Sequence, residues 1–338
     1  MFKEFLRGRA TKARFAFAKA ASVAAGAVLA MAIPVTGFAQ KAPAAQNTPI
    51  KVVASFSILG DMAREIGGEY IQLTTIVGAG ADAHSFEPTP KDAKALAQAK
   101  VLVVNGLGFE EWLPRLVKSS GFAGTEIVAS KGVRTRHLSN NGSAHDGHGH
   151  AGDIDPHAWQ SLENGMVYAR NIADGLSRAD PAHAKDYQGR AQLYIASMKK
   201  LDTEIKQALK AIPEARRKVV TSHDSFGYFQ QAYGVQFISV AGFSSDAEPS
   251  AKEVAAIIDQ IKREKVPAVF VESITNQKLI RQIGTETRVK VGGTLYSDAL
   301  AKSDEPAGTY LGMFTWNAGR LIYALQPDVK EKAETKAN

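Results

Sequence analysis

Residues 181–212 read PAHAKDYQGRAQLYIASMKKLDTEIKQALKAI, and their apolar spacing decides the architecture. Tyr187, Ala191, Tyr194, Ile195, Met198, Leu201, Ile205 and Leu209 step by three and four residues, which puts them on one helical face. No proline follows Pro181 and no glycine follows Gly189, and Asp180-Pro181 suits a helix start, with Asp180 as cap and the proline in the first turn. Roughly 30 residues of helix would run about 45 Å, enough to cross a domain. The spacing predicts a stiff spine over 181–212 rather than a flexible linker.

On either side of the spine, short β-rich runs alternate with helical stretches. Before it, IKVVASF (50–56), IQLTTIV (71–77), KVLVVNG (100–106) and TEIVAS (125–130) read as strands, with helical segments around 59–67, 91–99 and 110–119. After it, KVVTSH (218–223), VQFISV (235–240), PAVFVES (267–273) and VKVGGT (289–294) read as strands, interleaved with helices such as 250–264 and 276–285. Such alternation is that of a parallel α/β sheet. Two such halves imply two lobes, an N-terminal α/β lobe over 50–180 and a C-terminal α/β lobe over 213–338. The one low-complexity stretch, LSNNGSAHDGHGHAG (138–152), has no apolar pattern to bury and reads as a mobile surface loop.

The 338 residues, 45% hydrophobic and 22% charged, match an ordinary folded protein. The formal charge of +7 does not point to nucleic acid, because residues 1–39 carry six lysines and arginines against Glu4 and leave the rest near neutral. That segment has a basic start, an apolar run from about Ala20 to Ile33 and small residues at Gly37 and Ala39. It reads as a cleaved signal peptide over 1–39, followed by a disordered leader over 40–49. The alternative of a membrane anchor is disfavoured, since the apolar run is short for a bilayer span. There is no cysteine, which excludes disulfides, thiolate metal sites, cysteine nucleophiles and a lipid-bearing cysteine. The expectation is a soluble periplasmic product that is not a lipoprotein. Any metal would be held by nitrogen and oxygen.

In open α/β sheets, ligands collect where strands end and loops begin. Four ligand-type residues stand at such places: His84 in GAGADAHSFEPTP, His157 in DIDPHAW, His223 after KVVTS and Asp298 in GGTLYSDAL. Each has a plain alternative. A single histidine is usually structural or exposed, and Asp298 would serve equally as the cap of a helix starting at Ala299. Their joint placement, two in each half, matches a site between lobes. His137 and His183 read as surface residues, and Asp246 and Glu248 as solvated rim.

The segments GADAHSFEPTP, DPHAW, TSHDSFGYFQQAYG and LYSDAL resemble, in order and separation, the metal-binding solute receptors of ABC importers for zinc and manganese, the ZnuA-like and TroA-like proteins. The resemblance spans residues 50–325. It implies two four-stranded parallel α/β lobes bridged by a rigid helix, with metal held in the interlobe cleft by His84, His157, His223 and Asp298. It also implies delivery to a membrane permease, limited lobe closure, and Trp159 as a packing residue. Three imidazoles and one carboxylate suit tetrahedral Zn²⁺, whereas manganese receptors of this family put Glu at the third histidine because Mn²⁺ prefers oxygen. Zinc is therefore the expected ligand, and manganese, or zinc and manganese both, the alternative. Outer partners should hold the imidazoles by their second nitrogens; Glu87, Asp155 and Asp224 are near in sequence, which does not assign any of them to that part.

A zinc hydrolase is the competing class. Four protein ligands leave no open position for water, and no HExxH helix or Ser/His/Asp signature is present, so no enzyme is expected. An adhesin is a remoter possibility. A monomer is expected, without nucleic acid. His145, His148 and His150 lie in Gly-rich sequence that cannot preorganise a site, and read as weak accessory metal binders.

Overall fold

A computed structural model describes residues 48–137, 154–240 and 250–326. The expectations for 1–39, for Asp246 and Glu248 and for His145, His148 and His150 lie outside these residues. Among the described residues no helix is long and apolar enough to cross a membrane.

The first lobe is built on strands β1 (Ile50–Phe56), β2 (Ile71–Val77), β3 (Val101–Val104) and β4 (Thr125–Val128). They pair in the order β2-β1-β3-β4, all parallel. The second lobe repeats the plan with β5 (Lys218–Thr221), β6 (Gln236–Ser239), β7 (Ala268–Glu272) and β8 (Lys290–Leu295), ordered β6-β5-β7-β8. The α/β class and the two four-stranded parallel sheets agree with the reading of the sequence. The central strands are covered on both faces, so β3 (VLVV) and β7 (AVFVE) are buried at every position. That is why they read as continuous apolar runs rather than alternating ones. In both sheets strand order reverses beside the first strand, leaving a crevice at the carboxyl ends of β1 and β3 and of β5 and β7.

Helices α1 (Ser57–Gly67), α2 (Pro90–Ala97) and α3 (Leu113–Ser120) flank the first sheet. The third starts later than the sequence predicts because Glu110 is drawn inward. Its carboxylate accepts hydrogen bonds from Ser55 Oγ (2.7 Å), Asn105 N (2.6 Å) and Gly106 N (3.2 Å). Burial raises the pKa of this carboxyl, and those donors offset part of the rise.

Helices α4 (Leu162–Ala179) and α5 (Ala184–Lys210) form a long hairpin through the single 3₁₀ turn Pro181–His183. The spine is present, but its α-helix begins at Ala184. Asp180 does not cap it: its carboxylate accepts from His183 Nδ1 and Tyr187 Oη, both at 2.7 Å, which keeps the chain in the tighter turn. His183 is consequently not a plain surface residue, since its ring stacks on Tyr70 at 4.1 Å. Tyr187, Ala191, Tyr194, Met198, Leu201, Ile205 and Leu209 are buried along one face, as their spacing requires.

Helices α6 (Gly227–Tyr233), α7 (Ala251–Glu264), α8 (Gln277–Thr287) and α9 (Tyr310–Leu325) complete the second lobe. A seam of buried hydrogen bonds joins the lobes. Tyr310 N donates to Asp61 Oδ2 (2.8 Å) and Tyr310 Oη to the Trp159 carbonyl (2.6 Å). Leu300 N donates to Ser57 Oγ (3.0 Å), and Gly80 N to the Leu300 carbonyl (2.9 Å). The Ser297 carbonyl accepts from both Trp159 Nε1 (2.8 Å) and Gln160 Nε2 (2.5 Å). Burial pushes the Asp61 carboxyl up to about 6, against the opposing pull of the Tyr310 N–H and Arg64.

Candidate metal centre

Four loops converge in the cleft, three of them following strands. His84 lies in the loop after β2, His157 just before the 3₁₀ turn Ala158–Gln160, His223 just beyond β5 and Asp298 just beyond β8. Among the described residues these four form the one group of three or more His, Asp or Glu side chains whose donor atoms all lie within 4.8 Å of one another. His84 Nε2 is 3.2 Å from His157 Nε2 and 3.4 Å from Asp298 Oδ2. His157 Nε2 is 3.7 Å from Asp298 Oδ1, and His223 Nε2 is 2.9 Å from Asp298 Oδ2. Four bonds of about 2.0–2.1 Å arranged tetrahedrally have donor-to-donor edges of about 3.3 Å. Four of the six pairs lie near that value, at 2.9 to 3.7 Å, with both Asp298 oxygens taking part.

The side chains of His157, His223 and Asp298 are at most 1% exposed and that of His84 is 8% exposed, so His84 stands nearest the mouth. No helix begins at Ala299, which removes the capping alternative for Asp298. Phe109 packs edge-on against His84 at 4.6 Å and against Trp159 at 4.7 Å, giving the donors an apolar wall. Trp159 is wholly buried and packs on Phe56 at 5.1 Å.

Two carboxylates orient two of the rings. Asp155 Oδ1 sits 2.8 Å from His157 Nδ1 and also accepts from His157 N at 2.9 Å. Glu272 Oε2 lies 2.8 Å from His223 Nδ1, while its Oε1 accepts from Ser222 N (2.8 Å) and His223 N (3.0 Å). Asp155 so turns His157 Nε2 to the centre, the arrangement by which an outer carboxylate fixes an imidazole, while Glu272 faces His223 Nδ1 as a charge without an aligned hydrogen bond. Of the three acids near the rings in sequence, Asp155 alone takes this part. Glu87 is exposed, and Asp224 has its pKa raised by burial and then by Asp155. Glu272 escaped the sequence reading, being the last residue of an apolar strand and 49 positions from its partner. The available signal was an acid ending a central strand beside the crevice.

Burial pushes Asp298 up, but the rings of His223 and His157 outweigh it and hold the carboxyl well below its ordinary range. Burial pushes His223 down, yet Glu272 and Asp298 leave it well above the usual imidazole value. For His157, Asp298 and Asp155 likewise overcome burial and raise the ring. The site stabilises positive charge, and a cation has to displace protons to enter.

Replacing Glu272 with Gln should weaken metal binding about 10- to 100-fold, the usual effect of losing an outer carboxylate. The amide keeps the size and one acceptor but cannot hold the ring N–H with full charge. Competition against a chromophoric chelator measures it, and a change below about threefold would remove Glu272 from the site's design.

Residues 52–324 match the profile of the family described as ZnuA, zinc-uptake complex component A periplasmic. The chain belongs to this family. It is 33% identical over 282 residues to the manganese ABC transporter substrate-binding lipoprotein PsaA of Streptococcus pneumoniae, covering 82% of this chain and 89% of that protein. It is 31% identical over 313 residues to the iron ABC transporter substrate-binding lipoprotein MtsA of Streptococcus pyogenes serotype M1, covering 91% and 99%. Among solved structures, the periplasmic zinc binding protein TroA from Treponema pallidum superposes with a TM-score of 0.75 at 26% identity, over 82% of this chain and 99% of that one. As a member of the zinc-uptake component A family, the protein is a substrate-binding component of a metal ABC transporter, a receptor and not an enzyme.

The streptococcal relatives correct the expectation of location. They are named as lipoproteins, so a soluble periplasmic form without lipid does not hold as the family's rule. The missing cysteine bears on one route of lipid attachment to this sequence and not on where such receptors reside.

Proposed function

We propose that the protein captures Zn²⁺ between its lobes with His84, His157, His223 and Asp298, and delivers it to the membrane permease of an ABC importer. The donor set carries this reading: three imidazole nitrogens and one carboxylate oxygen, all within 4.8 Å of one another, are a borderline-soft set that suits zinc. One chain supplies all four donors, so a monomer suffices. Manganese or iron is the second reading, favoured by the names of PsaA and MtsA. Direct competition between Zn²⁺ and Mn²⁺, with the coordination number read by X-ray absorption, tests the choice. Four ligands and a preference for zinc are expected; six-coordination with manganese retained against zinc would reverse it.

Affinity should fall with acidification, and earlier than for free imidazole. His157 and His223 take up protons above the ordinary range in the metal-free site, so each proton that the ion displaces costs about tenfold per pH unit below those raised values. Asp298 stays ionised throughout that window. Zn²⁺ affinity unchanged between neutral pH and pH 5 would contradict ligation by these rings.

His145, His148 and His150 are proposed as a weaker zinc-gathering tract. Deleting 139–151 should abolish additional weak equivalents in a calorimetric titration and leave the tight one. Loss of the tight equivalent would reject the division between them.

A further inference from the structure

We infer that Arg136 is a positioning residue for the metal site, its guanidinium occupying a space that Gly227 leaves open and thereby tying the meeting of the lobes to the orientation of His157. The inference rests on the reading of the cleft as a metal site.

Arg136 stands between β4 and the first-lobe ligand, and its side chain is 18% exposed. Its Nη1 pairs with Asp155 Oδ2, while Asp155 Oδ1 faces His157 Nδ1. One carboxylate thus joins the guanidinium to the ligating ring. The backbone repeats the link, since Asp155 N donates to the Arg136 carbonyl at 2.9 Å.

The second lobe closes over this pair. Tyr228 Oη accepts from Arg136 N at 3.2 Å and donates to the Asp155 carbonyl at 3.0 Å, and the guanidinium lies 5.8 Å from the centre of the Tyr228 ring. A Cβ on Gly227 would fall 1.4 Å from Arg136 Nη1 and 2.2 Å from its Cζ. Gly227 is not among the positive-φ residues, so the backbone does not demand glycine there. The guanidinium does. Gly227 and Tyr228 open helix α6 four and five positions after His223, so the segment that presents one ligand also clamps the support of another. Apart from that segment, the Arg136–Asp155 pair would lose its lid, and His157 the restraint on its ring.

The test uses the full chain with Zn²⁺ affinity from chelator competition and the visible spectrum of bound Co²⁺, which reports ligand-field symmetry. Gly227→Ala alters no ligand and no charge, and displaces only the flexible end of Arg136. Gly227→Ala and Arg136→Gln should each weaken Zn²⁺ binding about 10- to 100-fold, as loss of outer support does, and both should alter the Co²⁺ band. Arg136→Lys, which keeps the cation, should stay within about tenfold of the parent. The double variant should be no weaker than the worse single one, because both changes break the same link. Unchanged Zn²⁺ affinity in both single variants overturns the inference, as do multiplying effects in the double variant or a lowered melting temperature with an unaltered Co²⁺ band. Should Gly227→Ala not fold, the contrast between Arg136→Gln and Arg136→Lys decides, equal losses counting against it. A parent protein that binds neither ion overturns the metal-site reading and this inference with it; a binding parent with unaffected variants overturns the inference alone.

Discussion

His223→Ala should reduce Zn²⁺ affinity several hundredfold or more. A closed four-ligand zinc site is worth about 10–16 kcal/mol, so one ligand accounts for about 3–4 kcal/mol, or a factor of about 10²–10³. This ligand stands at the upper end. Its ring is the partner of Asp298 at 2.9 Å and of Glu272 at 2.8 Å, both fully buried. Without the imidazole the two carboxylates lose their common cation, a situation that buried charges tolerate poorly. The metal-free variant should therefore also lose stability near neutral pH. His223→Glu is the informative companion, because it supplies the oxygen donor that manganese prefers and should move the zinc-to-manganese ratio toward manganese. Competition titrations of the two variants measure both effects. Zinc affinity within tenfold of the parent in His223→Ala would show that the ring is not a ligand.

Trp159→Ala should be the most destabilising single change near the cleft, at about 3–5 kcal/mol. The indole is wholly buried between Phe56 and Phe109, and its N–H closes the seam on the Ser297 carbonyl. Alanine leaves a cavity and takes from that carbonyl one of its two donors. For a chain of this size the melting temperature should drop by about 10 °C, read by scanning calorimetry of the metal-free protein. A drop below 3 °C would mean that the surroundings collapse into the space.

The four converging residues were legible because histidines and an aspartate at strand ends have few other reasons to be there together. Their supports were not. Glu272 and Glu110 are acids at the crevices of the two sheets, each embedded in apolar or helix-like sequence, and what makes them polar sites is a backbone N–H or hydroxyl brought in by another strand. Helix α4 went unread for a related reason. Gly165 and Gly175 lower its helical propensity, but a Cβ at those positions would meet Tyr310 and Ile127 within 2.5 Å. Tertiary packing, invisible in the local pattern, overrides propensity there. The spine was legible throughout its length except at its first turn, where Asp180 turned to His183 and Tyr187 instead of the helix end.

The Ser297 carbonyl, which receives Trp159 and Gln160, belongs to the residue next to Asp298. Whatever separates the lobes at that carbonyl pulls Asp298, with His223 beside it, away from His84 and His157 in the same stroke. An ion held there as proposed would have its dwell time tied to the lifetime of that contact between the lobes. A permease that prised the seam apart would then need no proton, nucleotide or competing ligand at the ion itself: unloading would become leverage.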